Sequence, residues 1–167
     1  MSLPRGIRNH NPLNIRRTSK DQWKGLSKAQ TDRAFVQFET LEWGWRAAFH
    51  LLTRTYYHKY RLYTIRQIIS RWAPPNENHT KAYIDNVSRL TGIDPDENIG
   101  IPSMQPARWL MLGAAMAIQE NGLIKREQSQ AGLNSAERED GRPKVNGTES
   151  LDYFAMLRGW TLAREEG

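Results

Sequence analysis

A chain of 167 residues with 38% hydrophobic and 10% aromatic content, including six tryptophans, has apolar material for one folded domain, which excludes a compositionally disordered protein. The absence of cysteine excludes disulfide scaffolds and thiolate metal sites, and no apolar run reaches the roughly 18 residues of a membrane span. The net charge of +6 is uneven, +10 over residues 1–83 and −4 over residues 84–167, so one half attracts polyanions such as nucleic acid, teichoic acid or phospholipid through a salt-sensitive force.

In chain order, Met1-Ser2-Leu3-Pro4-Arg5 lacks the apolar stretch of a secretory signal. Residues 5–40 carry turn chemistry. Asn9-His10-Asn11-Pro12-Leu13-Asn14-Ile15 sets three asparagines around a proline, and such side chains build tight loops by bonding nearby backbone. Trp23-Lys24-Gly25 reads as a turn, and the aromatic and β-branched Phe35-Val36-Gln37-Phe38 predicts a strand, half of a small hairpin. Thr40 is placed to cap a helix whose apolar positions Leu41, Trp45, Ala48, Phe49, Leu52 and Tyr56 follow the 3.6-residue period.

Thr64-Ile65-Arg66-Gln67 has the capping-box pattern, with Ile68, Ile69 and Trp72 following until Pro74-Pro75 forbids continuation. A further helix is predicted over residues 78–90, with Gly92 suited to the left-handed position after it. Ser103 and Pro106 open a nearly wholly apolar segment from Trp109 to Ile118, expected to be the most buried helix and to end at Gly122. Residues 125–147 are polar and glycine-containing, which predicts a surface connection. Residues 151–164 predict a last amphipathic helix with Phe154, Leu157 and Trp160 inward. The fold class expected is α+β, mostly α, with residues 1–124 as the domain, 125–147 as connection and 148–167 as a helix packed on that domain.

Chemistry-bearing motifs are mostly absent. There is no HExxH, no metal-spaced pair of His or Cys, no GxGxxG and no GxxxxGK[ST], so no metal or cofactor is expected. His10, His50, His58 and His79 are scattered, and no GxSxG elbow supports a Ser/His/Asp triad.

Four separated stretches occur in a recognisable order. They are Arg5-Gly6-Ile7-Arg8-Asn9-His10-Asn11-Pro12-Leu13-Asn14-Ile15-Arg16, Trp23-Lys24-Gly25-Leu26, Phe35-Val36-Gln37-Phe38 with Gly44-Trp45-Arg46-Ala47, and Arg71-Trp72-Ala73-Pro74-Pro75-Asn76-Glu77-Asn78-His79-Thr80 with Tyr83. This order, over residues 5–122, resembles a phage and prophage structural-protein group that is similar to virion-associated, lysozyme-like cell-wall enzymes. The resemblance implies a lysozyme-like helical domain and action on bacterial peptidoglycan. The stretch from Asn9 to Phe38 also resembles the asparagine turn, tryptophan turn and hairpin of bacterial glucosaminidases. Their catalytic glutamate ends a helix just before that turn, but none of the eight residues before Asn9 is acidic.

Cleaving a β-1,4 glycosidic bond requires a carboxyl placed to protonate the leaving oxygen. Glu120 is the first candidate, because Ala117-Ile118-Gln119-Glu120-Asn121-Gly122 ends the apolar helix and looks like the helix-ending Glu-Ser-Gly of lytic transglycosylases; an ordinary helix-end glutamate is the competing reading. Glu77, between Asn76 and Asn78, is the second, and it could equally cap the next helix. Glu39, after the predicted strand, is weaker. Asn9, Asn11, Asn14 and Asn78 are candidates to bond sugar hydroxyl and N-acetyl groups, and Trp23, Trp72 and Tyr83 to stack on sugar rings, although turn-building explains the asparagines equally well. Trp45, Trp109 and Trp160 read as core.

Three functions compete at this point. One is a lytic transglycosylase, or a muramidase- or glucosaminidase-type hydrolase. Another is a non-catalytic virion or wall-binding module, and the third a nucleic-acid binder using the basic half. Peptidoglycan is the expected partner, with other virion proteins next, and nucleic acid is disfavoured because no recognised motif is present. The expected location is the cytoplasm or a virion until release to the wall, with no membrane span.

Overall fold

The structure, a computed structural model, describes residues 3–74, 79–122 and 152–165. It is mostly α-helical. In order come α1 (Arg5–Arg8), α2 (Leu41–His50) continuing as π-helical turns over Leu51–Lys59, α3 (Ile65–Trp72), α4 (Thr80–Thr91), α5 (Pro106–Asn121) and α6 (Tyr153–Glu165).

Local chemistry accounts for most of the boundaries. The Thr40 side chain accepts from Trp43 N at the head of α2, and Thr64 and Gln67 form a reciprocal capping box at α3. α3 stops at Trp72, two residues before Pro74. α4 ends on Gly92, whose φ of 72° is left-handed. Pro106 occupies the first position of α5, where its missing N–H costs nothing, but Gln105 rather than Ser103 precedes it and lends no side-chain cap.

α2 lies at the centre. Its residues from Gly44 to Phe49 are all buried, so α2 and not the longer α5 is the most enclosed helix. Trp45 stacks on Phe49 with ring centroids 5.4 Å apart, and the core continues through Leu52, Ile65, Ile68, Ile69, Val87, Trp109, Leu112 and Met116. α6 packs on α2 by a face unlike the expected one. Ala155, Met156, Gly159 and Ala163 are inward, while Phe154 and Leu157 are 44% and 49% exposed. A Cβ at Gly159 would stand 2.3 Å from the Trp45 Cβ, so the two backbones meet closely only because nothing projects there. Of the three predicted contacts, Trp160 alone reaches the core, edge-on to Phe49 at 5.1 Å.

The predicted hairpin is not formed. Among the described residues, β pairing is limited to isolated antiparallel bridges, Arg16 with Phe35 and Leu26 with Phe38. Backbone pairs such as Val36 N to Ile15 O and Ser27 N to Gln37 O do form, but side-chain amides and a carboxylate take several of the neighbouring groups that a longer ladder would use. Asn11 bonds Ile15 N, Ile15 O and Val36 O; Gln30 bonds Gln37 N and O; Asp32 takes Ala34 N and Phe35 N. The β component of the α+β expectation is thus replaced by a bonded loop. Beneath it lies a second small core of Ile15, Val36, Phe38 and Ala47. Of the expected connection and C-terminal segment, residues 125–151 and 166–167 lie outside the described residues.

Candidate functional site

Between the two cores runs a groove of about 770 Å³. Residues from Asn14 to Lys24 and Phe35 form one wall. Arg46 and His50 of α2, Leu51 and Tyr56 of the π-helical turns, Trp72 and Ala73 at the end of α3, and Glu120 in the last turn of α5 line the rest. The opening exists because α2 and the ends of α3 and α5 converge on the loop without a side chain filling the gap.

Glu120 is the residue on which these segments meet. Its Oε1 accepts from Asn14 Nδ2 at 3.0 Å; its Oε2 accepts from Tyr83 Oη at 3.0 Å and, at a longer 3.4 Å, from Trp72 Nε1. The donors come from the loop, α4 and α3, so the carboxyl is held in orientation by three parts of the chain. Asn14 reaches it with φ 52°, a left-handed conformation that asparagine tolerates better than most residues. The neighbouring Asn121 reinforces this junction, its Nδ2 donating to Pro12 O at 2.7 Å. Tyr83 is buried behind the carboxyl and does not line the groove. Burial first, and then Glu120, push its phenol well above the ordinary tyrosine range, so it remains a protonated donor. Tyr56 is likewise pushed up, to about 12, chiefly by burial.

Thus Asn14, Trp23, Trp72 and Glu120 share the groove, with Tyr83 behind it. Trp23 stands edge-on to His50 at 5.9 Å, and Trp72 edge-on to Tyr56 at 6.1 Å. Asn11 is wholly buried with both ends of its amide engaged by the loop backbone. Asn9 donates to Asp32 and accepts from Gln37, beside a smaller, separate depression that also includes Arg5, Arg8 and Arg33. Glu39 is exposed and does not line the groove. Glu77 and Asn78 lie outside the described residues.

Several lining residues carry no functional role from the sequence alone, among them Arg46 in the Gly44-Trp45-Arg46-Ala47 stretch, the scattered His50, and Tyr56, whose spacing marks it as core. The signal for Arg46 is a lone charge set among Gly44, Trp45, Ala47, Ala48 and Phe49, and in the fold it is 6% exposed. Buried arginine requires a polar surround. Among the described residues, no group of three or more His, Asp or Glu is arranged to hold a metal ion.

A bonded loop closing over a helical body, with a groove at the seam, is the architecture of this chain, and comparison places it among phage proteins. No protein-family model matches it. It is 42% identical over 120 residues to Protein P5 of Pseudoalteromonas phage PM2, a match covering 71% of each chain, and it belongs to the family of that phage protein. The phage part of the expected resemblance is thereby established; its cell-wall-lytic part has no counterpart in that name. No described helix is long and apolar enough to cross a membrane.

Proposed function

We propose that the protein cleaves the glycan strand of bacterial peptidoglycan, with Glu120 as the proton donor and lytic transglycosylation as the route. The observation that supports this reading is the placement of Glu120: a carboxyl in a sugar-sized groove, oriented by an asparagine amide, an indole and a phenol, with Trp23 and Trp72 among the lining residues. In glucosaminidases, which the loop resembles, the acid ends a helix just before the asparagine turn. Here that position holds the single turn of α1, and a glutamate reaches the same loop from the end of α5.

The other acid lining the groove, Asp21, accepts from the N–H and hydroxyl of Thr18, both at 2.8 Å, and is turned to its own loop. Chemistry with one carboxyl therefore fits better than a two-carboxylate hydrolysis. Glu120 gives its proton to the bridging oxygen as the C1–O bond breaks. It then takes the proton of the same sugar's 6-hydroxyl as that oxygen closes on C1, leaving a 1,6-anhydro end and a free hydroxyl on the departing sugar. The test is mass analysis of purified sacculi after incubation. Anhydro ends are expected, with none from Glu120→Gln; hydrated ends would replace transglycosylation by hydrolysis, and intact sacculi would overturn cleavage altogether.

A second reading is a virion-structural or wall-binding module without turnover. It is favoured by the same three bonds, because a carboxylate with both oxygens occupied is also a structural tie between α5, α4, α3 and the loop. It predicts sacculus pelleting without products and a Glu120→Gln variant altered in stability alone.

A further inference from the structure

Gly6 lies within α1, is buried and does not line the groove. Its backbone is not left-handed, so no special φ calls for glycine there, and alanine would suit a helix better. What calls for glycine is space. A Cβ at Gly6 would stand 2.4 Å from Asn121 Oδ1, 2.8 Å from Asn14 Oδ1 and 2.8 Å from Asn11 O. Asn11 O already accepts from Asn14 N at 3.0 Å. The two side-chain oxygens are buried and have no hydrogen-bond donor among the described residues. Both converge on the Cα–H that stands where a side chain would begin, a weakly polar contact that a methyl group would abolish.

The opposite ends of these amides carry the consequence. Asn14 Nδ2 donates to Glu120 Oε1 at 3.0 Å, and Asn121 Nδ2 donates to Pro12 O at 2.7 Å and Ala117 O at 3.0 Å. With its oxygen seated against Gly6, the Asn14 amide presents its NH2 to the carboxyl; flipped, it would set oxygen against oxygen, and pushed back it would lose the bond. We propose that Gly6 is a positioning residue for Glu120: its bare Cα is the seat on which the Asn14 and Asn121 amides close, and through Asn14 it fixes the direction in which the carboxyl faces the groove. This deepens the glycan-cleavage reading and rests on it only for what the carboxyl does.

The experiment compares Gly6→Ala with Thr64→Ala, which loses its α3 cap away from the groove. On soluble peptidoglycan strands, Gly6→Ala should lower kcat about ten- to a hundredfold with KM within about twofold, because the strand still binds while the carboxyl is held off line. Thr64→Ala should keep the wild-type kcat. Nuclear magnetic resonance reads the same seat without turnover. The Asn14 side-chain NH2 signals, displaced in the wild type by the bond to Glu120, should return in Gly6→Ala toward the position of a solvated amide. In the wild-type protein the Gly6 Hα facing the two oxygens should lie downfield and move upfield in Asn121→Ala, a check that holds even if Gly6→Ala does not fold. A folded Gly6→Ala protein with the kcat of Thr64→Ala would overturn the inference and leave Gly6 a packing residue. So would an Asn14 amide that Gly6→Ala does not move, or a Gly6 Hα indifferent to Asn121→Ala. A wild-type protein that leaves the strands intact, while Gly6→Ala displaces the Asn14 amide, would sink the cleavage reading alone.

Discussion

The loop region of residues 5–40 and the helical body are stable for different reasons. The body is held by burial: Trp45, Phe49, Trp109 and Leu112 are fully enclosed. The loop has only a few apolar residues beneath it, and its shape comes from Asn11, Gln30, Asp32 and Gln37 bonding backbone in place of a β ladder. A hydrogen bond adds little net stability but is costly to leave unmade, so such a region is rigid while intact and fails abruptly when one amide is removed. The groove lies where these two kinds of order meet.

That contrast can be broken in measurable steps. Trp109→Ala, which empties a fully buried site and leaves Gly100 O without its indole donor, should cost about 3–5 kcal/mol in urea unfolding. Asn11→Ala removes far less volume but strands Ile15 N and Val36 O and takes one of two donors from Ile15 O; a loss of about 2 kcal/mol is expected, and one near zero would show the loop is packed rather than bonded.

Asp32 sharpens the comparison through pH. The Arg5 guanidinium, bound through both oxygens at 2.6 Å, holds its carboxyl far below the usual range, helped by Phe35 N, Asn9 Nδ2 and Ala34 N. The folded value lies below the unfolded one, so this contribution is complete above about pH 4 and is lost as pH falls further. Melting temperature should therefore drop below about pH 4 in the wild type and drop less steeply in Asp32→Asn, which begins about 1.5 kcal/mol less stable at neutral pH. The smallest effect is expected for Thr64→Ala, about 1 kcal/mol from the capping box of α3, with groove binding unchanged.

Signals confined to one turn of chain were legible in advance. Thr40, the Thr64–Gln67 box, Gly92 and Gly122 act on their immediate neighbours, and the helices begin or end where they stand. Glu120 could be nominated because it closes an apolar helix. That Trp72 and Tyr83 donate to it, rather than simply offering sugar-stacking faces, depends on how α3 and α4 cross α5, which no periodicity encodes. Residues Phe35 to Phe38 have strand composition, but Phe35 N, Val36 O, Gln37 N and, in part, Gln37 O are taken by side chains from Asn11 to Asp32, and composition cannot register that competition. α6 misled for a related reason. Its larger apolar residues outweigh Ala155, Gly159 and Ala163 in any hydrophobic pattern, yet close backbone contact favours the small ones.

The bare backbone at Gly159 has a reach beyond its own helix. It abuts the Trp45 carbonyl carbon and Arg46 nitrogen, the stretch of α2 backbone that carries the Arg46 side chain to the groove. Even one methyl group there must lift α6 or push α2 forward, carrying the guanidinium with it. The calibre of the groove therefore depends in part on Gly159, a residue that is not among those lining it.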